Sequence, residues 1–233
     1  MIVILPFEKN FYAGYDVKVD YVGHPLLDAL NNEIPLNKKS FLKQNNLNNK
    51  PIIGILPGSR KQEVKEMLTT MLKLVGDFPQ YQFVIAGVDT LGKPFYNSTI
   101  GKLDVKLLFG NTNNILQFAD AALVTSGTAT LETALIGTPE VVCYKGNRIS
   151  FEIAKRIINV KYISLVNLIM DKEVVTELIQ SDFNYSNLKK ELESILNDKA
   201  KRETILNNYE QLKVVLGNTG ASARAAKIIT SMN

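Results

Sequence analysis

Two short stretches hold the residue types that could bind a diphosphate joined to a sugar. In "ILPGSRKQEV" (55–64), an apolar run ends in Gly58, Ser59 and Arg60. Gly58 allows close backbone approach, the Ser59 hydroxyl can cap a following helix, and Arg60 offers a planar fork suited to phosphate oxygens. The first-turn amides of such a helix point outward at its positive dipole end, which favours an anion. The same residues also make an ordinary capped turn with a surface arginine, and this stretch alone leaves both readings open.

The second stretch is "LVTSGTATLETALIGTP" (123–139). Ser126, Gly127 and Thr128 would present amides and hydroxyls at another helix start, and Glu132 follows one turn in. The helix stops at Gly137. An acid near a helix N-terminus is partly accounted for by the dipole. A carboxylate beside a nucleotide crevice can also accept two hydrogen bonds from ribose hydroxyls. Two such turns on one sheet edge favour the ligand reading.

Other polar candidates stand alone. His24 in "VGHPLLD" is the single histidine and precedes Pro25, which restricts it to extended backbone and suits a structural turn better than a general base. Asn167 in "YISLVNLIMD" could reach the same crevice. Cys143 lies inside an apolar run and reads as a buried, inert thiol. There is no CxxC, HExxH, Walker lysine or GxSxG, so zinc, P-loop and hydrolase chemistries have no support.

Positioning these turns requires strands that feed helices. "PIIGIL" (51–56) reads as a strand, and 61–78 as a helix with an apolar stripe at Val64, Met67, Leu68, Met71, Leu72 and Val75. Strands follow at 81–87, 104–110, 121–125 and 139–145, with "NNILQFADA" as a short helix. Continuous apolar strands alternating with amphipathic helices predict a Rossmann-like parallel α/β sheet covered on both faces. Before it, "NNEIPLNKKSFLKQNNLNNK" reads as a polar linker with one short helix. After residue 165 the pattern predicts a helical C-terminal extension, with spans at 171–180, 186–197, 199–216 and 219–231.

Composition fits this class. The chain has 233 residues, 45% hydrophobic and 21% charged, enough for one large domain or two small ones. No window approaches the roughly 18 apolar residues of a membrane span. The opening "MIVILPFEKN" has too short an apolar run for a signal peptide. One cysteine excludes an internal disulfide and fits a reducing compartment, so the cytoplasm is the expected location. The net charge of +4 comes mostly from scattered lysines, with one cluster at Lys145, Arg148, Lys155, Arg156 and Lys161. Without interleaved aromatic residues that cluster reads as a solvated helix face, and nucleic acid is not an expected partner.

Together, "LPFEKNFY" (5–12), "YVGHPLLDAL" (21–30), "ILPGSRKQEV" (55–64), "ADAALVTSGTATLETALIGTPEVVCYK" (119–145) and "AKRIINVKYISLVNLI" (154–169) resemble lipid-A-disaccharide synthase. They occur in that family's order and at its approximate spacing. The resemblance implies a GT-B glycosyltransferase, in which two Rossmann-like domains face each other across a cleft. It implies transfer of a diacylated glucosamine from UDP-2,3-diacylglucosamine to the 6-hydroxyl of 2,3-diacylglucosamine 1-phosphate, with inversion, giving the β-1′,6 disaccharide of lipid A. It implies no metal or other cofactor, peripheral contact with the inner-membrane surface, and a possible homodimer. By the same resemblance Arg60 stabilises the diphosphate, Gly58 and Ser59 shape its loop, and Ser126, Gly127 and Thr128 approach the phosphates and donor sugar. Glu132 would bind ribose, and Asn167 matches an asparagine of the nucleotide site.

The resemblance also implies boundaries. Residues 1–30 would be a remnant of an N-terminal acceptor domain, 31–50 a linker, 51–170 the UDP-sugar-binding domain and 171–233 C-terminal helices. Most of the acceptor site and the general base would lie in a domain absent from this chain. Residues 218–231 would be terminal helices that brace that domain, and here would dangle, pack in trans or drive dimerisation. Two alternatives remain open from the sequence: another UDP-sugar enzyme such as a UDP-N-acetylglucosamine 2-epimerase, and a non-catalytic nucleotide-binding module.

Overall fold

The computed structural model describes residues 1–31, 36–146 and 161–231. Its first unit is small. Strands β1 (Ile2–Val3) and β2 (Asp20–Tyr21) pair in parallel around helix α1 (Glu8–Ala13), which buries none of its residues. Phe11 and Tyr15 remain 56% and 69% exposed, so this unit has little core of its own. Helix α2 (Pro25–Asn31) follows, with Pro25 at its first position, where a missing N–H costs no hydrogen bond.

Helix α3 (Lys38–Gln44) occupies the stretch expected to be a linker. Asn37 caps it by accepting from the Ser40 amide at 2.8 Å. Phe41 is fully buried and meets the Phe118 ring at 5.2 Å. The helix expected here is present, and its apolar face is anchored on the sheet that follows.

That sheet is built from β3 (Ile52–Leu56), β4 (Gln82–Gly87), β5 (Val105–Phe109), β6 (Ala119–Thr125), β7 (Glu140–Tyr144) and β8 (Glu177–Ile179). Among the described residues its order is β5-β4-β3-β6-β7-β8, and every pairing is parallel. The period-2 alternation of a strand sends neighbouring side chains to opposite faces, so β3, β4 and β6 contribute to two cores. Ile53 and Ile55 join Phe83, Ile85 and Leu123 on one face. Ile52 and Leu56 join Val84, Ala122 and Val124 on the other, with Phe41, Ile115 and Leu116.

Helices cover both faces, as a parallel sheet of largely apolar strands requires. Helix α4 (Lys61–Met71) buries Val64, Met67, Leu68 and Met71, and its stripe continues into a 3-10 segment, Leu72–Asp77. The expected single helix over 61–78 therefore tightens in its last turn. Helices α5 (Gly92–Ile100), α6 (Thr112–Phe118) and α7 (Thr128–Ile136) complete the crossovers. Residues 119–121, expected to end the short helix, instead begin β6. Gly137 ends α7 in the left-handed region at φ 95°, donating to the Ala134 and Thr133 carbonyls.

One C-terminal expectation is overturned. Residues 171–180 are not a helix: 177–179 form β8, which pairs with β7 at the sheet edge. The sheet therefore extends past residue 170, where the sequence reading ended it. Among the described residues, helices α8 (Leu165–Met170), α9 (Tyr185–Asn197), α10 (Lys199–Leu216) and α11 (Ala221–Thr230) follow.

Helix α11 neither dangles nor leaves the chain, because it returns to the first unit. The Asp28 carboxylate accepts from the Gly220 amide and, at 3.0 Å, from the Ser222 amide, so it caps α11 from across the chain. Arg224 Nε donates to the Val22 carbonyl at 2.8 Å, and the Tyr21 hydroxyl donates to the Leu216 carbonyl at 2.9 Å.

Candidate functional site

The crossover order makes a crevice. From β3 the chain builds outward through β4 and β5, then returns to lay β6 on the other side of β3 and continues through β7 to β8. The connections leaving β3 and β6 thus diverge, and open parallel sheets bind ligands beyond the carboxyl ends of strands at such a point. Both stretches singled out from the sequence lie there.

The two turns lie side by side, because the strands that feed them are neighbours. Gly58 adopts φ +100°, and a Cβ at this position would stand 3.4 Å from Thr125 Cγ2 and 3.6 Å from Glu63 Oε2. Thr125 is the last residue of β6, and the positive φ that Gly58 accepts sets the first turn beside it. A side chain here would strain the backbone, although its Cβ would find ordinary van der Waals contact with Thr125.

Arg60, not Ser59, is the N-cap of α4, with φ −92° and ψ 134°, and no side chain caps this helix. The helix starts at Lys61 as expected, but the capping role expected of Ser59 is corrected: Arg60 holds the cap position and Ser59 is an exposed turn residue. The Arg60 side chain is 82% exposed and Nη1 donates to Glu63 Oε1 at 3.0 Å. An exposed pair of this kind is worth about 0–1 kcal/mol, so the guanidinium can exchange Glu63 for a phosphate at little cost.

Gly127 caps α7 without a side-chain bond, and Gly127 and Thr128 are both exposed. Ser126 is tied on two sides. Its amide donates to the Cys143 carbonyl at 2.9 Å and its hydroxyl to the Ile163 carbonyl at 3.0 Å. The buried Thr130 hydroxyl donates to the Gly127 carbonyl at 2.8 Å, which folds the turn back on the helix. Glu132 is half-buried on the second turn of α7.

Asn167 does not join these residues. It is fully buried, and its side chain is saturated. Oδ1 accepts from the Val174 and Val175 amides at 2.7 and 3.0 Å, while Nδ2 donates to the Val175 carbonyl at 2.8 Å and to Glu177 Oε1 at 2.9 Å. An amide has two donor hydrogens and two acceptor lone pairs, and all four are used. A direct ligand contact from Asn167 is therefore replaced by a structural role that fastens α8 to the segment entering β8.

The remaining candidates behave as buried residues. His24 is 5% exposed, Nδ1 accepts from the Leu26 amide at 3.2 Å, and burial holds its pKa below the ordinary histidine value. Burial, with the Glu140 charge second, pushes the Cys143 thiol well above its usual range, which makes it a poor nucleophile. Of the basic cluster, Arg148, Lys155 and Arg156 lie outside the described residues. Lys145 pairs with Glu66 at 3.1 Å, and Lys161 stands over the Tyr162 ring. Among the described residues, no three His, Cys, Asp or Glu side chains gather to hold a metal ion, and no helix is long and apolar enough to cross a membrane.

Two acids escaped the sequence reading. Glu177 on β8 accepts from the Ile163 and Ser164 amides, both at 2.9 Å, as well as from Asn167. Its signal was one acid inside the apolar run "VVTELI", which helical spacing disguised. Glu140 begins β7, at the sheet end away from the crevice, and is fully buried. The Tyr209 hydroxyl donates to Oε1 at 3.5 Å, Oε2 has no partner, and burial raises the carboxyl pKa well above the usual range.

Known proteins share both fold and sequence with this chain. Among solved structures, a UDP-GlcNAc 2-epimerase from Neisseria meningitidis bound to UDP-GlcNAc superposes with a TM-score of 0.70 at 15% identity, over 97% of this chain and 60% of that one. CalG4, the calicheamicin glycosyltransferase, superposes with a TM-score of 0.59 at 18% identity, over 99% of this chain and 52% of that one. At such identities the likeness is one of fold. Sequence relatives are nearer. A lipid-A-disaccharide synthase from Syntrophus aciditrophicus (strain SB) is 39% identical over 97% of this chain and 61% of its own length. One from Anaeromyxobacter dehalogenans (strain 2CP-C) is 34% identical over 97% and 61%. The chain thus spans about three fifths of the length of these curated relatives. The family described as lipid-A-disaccharide synthetase matches residues 1–230, and this chain belongs to it.

Proposed function

We propose that this chain forms the UDP-sugar side of a lipid A glycosyltransferase. The observation that carries this reading is the placement of the Gly58–Arg60 turn beside the end of β6 at the sheet's switch point. One exposed guanidinium and two helix starts then converge on a single crevice. Family membership supplies the chemistry: transfer of a diacylglucosamine from UDP-2,3-diacylglucosamine to 2,3-diacylglucosamine 1-phosphate. The epimerase of similar fold is bound to UDP-GlcNAc, which fits the same class of ligand.

In this reading the acceptor hydroxyl attacks the donor's anomeric carbon as the bond to the diphosphate oxygen breaks. Negative charge then grows on UDP. Arg60 leaves Glu63 to meet that charge, and the amides opening α4 and α7 add fixed partial positive charge. Ser126, Gly127 and Thr128 leave room for the sugar, and Glu132 accepts hydrogen bonds from ribose. The acceptor and its general base belong to the part of the relatives' length beyond the matched share. Contact with a membrane surface and self-association remain parts of this proposal, and both apply to the whole protein.

Titration of the 233-residue chain with UDP in a calorimeter tests the reading. Weak binding is expected, and no heat at millimolar UDP would overturn it. The chain alone is expected to make no disaccharide, so turnover of UDP-diacylglucosamine with labelled acceptor would refute the division of labour. An epimerase would instead convert UDP-GlcNAc, a reaction that needs ionisable catalytic groups. The single histidine is buried in a turn, which counts against that reading.

A further inference from the structure

The geometry points to Glu177 as a positioning residue for the donor loop, acting through the Ile163 carbonyl on Ser126. This inference rests on the donor-site reading above. Glu177 lies on the edge strand β8 and touches none of the proposed ligand contacts directly. Its carboxylate gathers three donors: Oε2 accepts from the Ile163 amide at 2.9 Å, and Oε1 accepts from the Ser164 amide and from Asn167 Nδ2, each at 2.9 Å. These bonds fix the peptide planes of residues 162–164. The Ile163 carbonyl, held by that geometry, accepts the Ser126 hydroxyl at 3.0 Å. Ser126 then enters Gly127, where a Cβ would meet nothing within 4 Å, so no packing on that side steadies the turn.

The sequence of constraints therefore runs from an edge-strand acid, through a backbone segment, to the loop that opens α7. A charged acceptor suits this task, because bonds to an ionised group are stronger than neutral ones and three donors converge on it. A glutamine of the same shape would turn an NH2 toward an N–H on one side of the carboxylate, replacing attraction with repulsion while leaving the packing unchanged. With Ile163 released, Ser126 loses its acceptor, and the turn must be ordered when ligand binds. Ordering at that moment weakens binding without removing any ligand contact.

Two readouts on the full 233-residue chain test this. In Glu177→Gln, amide hydrogen exchange of residues 124–130 should quicken, and the dissociation constant for UDP should rise about fivefold, the loss of one hydrogen bond's worth of preorganisation. In a Ser126→Ala background the connecting bond is gone, so Glu177→Gln should change UDP affinity less than about twofold. Additive effects on affinity, or unchanged exchange at 124–130 in Glu177→Gln, would overturn the inference. Should Glu177→Gln not fold, Ser126→Ala breaks the same linkage at its other end: exchange of the 126–130 amides should quicken, and no change there overturns it. If the unaltered chain binds no UDP, the donor reading fails, and the exchange measurements still decide the coupling by themselves.

Discussion

Arg60 and Asn167 are polar side chains with opposite surroundings. Arg60 stands in the turn after β3, four fifths exposed, with Glu63 of the same helix turn as its partner. Asn167 sits inside α8, fully buried, with both donors and both acceptor positions taken by the segment 174–177. The contrast separates two uses of polarity. A group held by one weak surface pair is free to meet a ligand and dispensable to the fold. A group saturated in the interior is unavailable to a ligand, and the fold depends on it.

Truncating Asn167 should have the largest effect. Asn167→Ala leaves several buried backbone groups unpaired at about 1–3 kcal/mol each, so a loss of about 3–5 kcal/mol is expected. For a chain of this size that lowers Tm by about 10 °C in thermal denaturation. A Tm within a degree of the unaltered chain would break the contrast at its buried end.

At the exposed end, Arg60→Ala should leave Tm within about 1 °C, since the lost surface pair is weak. UDP affinity should fall about tenfold to thirtyfold by calorimetry, the worth of one charge-assisted bond. A fall in Tm with unchanged affinity would reverse the assignment. Glu132→Gln sharpens the comparison further. Weakening of UDP by about fivefold is expected, from one charged hydrogen bond made neutral, while inorganic pyrophosphate, which has no ribose, should bind as before. Equal weakening of both ligands would remove the ribose role.

Glu140 offers a third environment, buried like Asn167 but only partly partnered. Burial raises its pKa, so the folded chain keeps a proton that the unfolded chain releases near the ordinary glutamate value of about 4.3. Stability from the neutral carboxyl is complete below that pH and is lost as pH rises through the folded-state value. Glu140→Gln should therefore flatten the decline of Tm with rising pH, gaining on the unaltered chain as pH rises above the ordinary glutamate value of about 4.3. Parallel Tm curves above that value would show that Glu140 is ionised in the folded state.

Much of the sheet was legible because its strands are short apolar runs separated by turn residues and amphipathic helices. "PIIGIL" and "YQFVIAG" permit no other burial than between two layers. β8 was not legible. "DKEVVTELIQ" carries apolar residues at spacings a helix also satisfies, and three residues at a sheet edge gain their identity from pairing with β7. The site was legible to the same degree. Gly58 and Arg60 announced themselves by residue type beside a strand end. That Ser59 caps nothing depends on where α4 begins, which its neighbours decide.

The amino-acid sequence by itself determined the layered α/β class, the two glycine turns and the family, because these depend on local pattern and on the order of motifs along the chain. Only the tertiary structure decided that the two turns lie side by side, that α11 is capped by Asp28, and that Asn167 and Glu177 face each other inside the protein. The physical reason is the same for all three. Which polar groups meet across a distance in sequence is set by strand order and helix packing, and a residue's type states what it can bond to without stating what it will find.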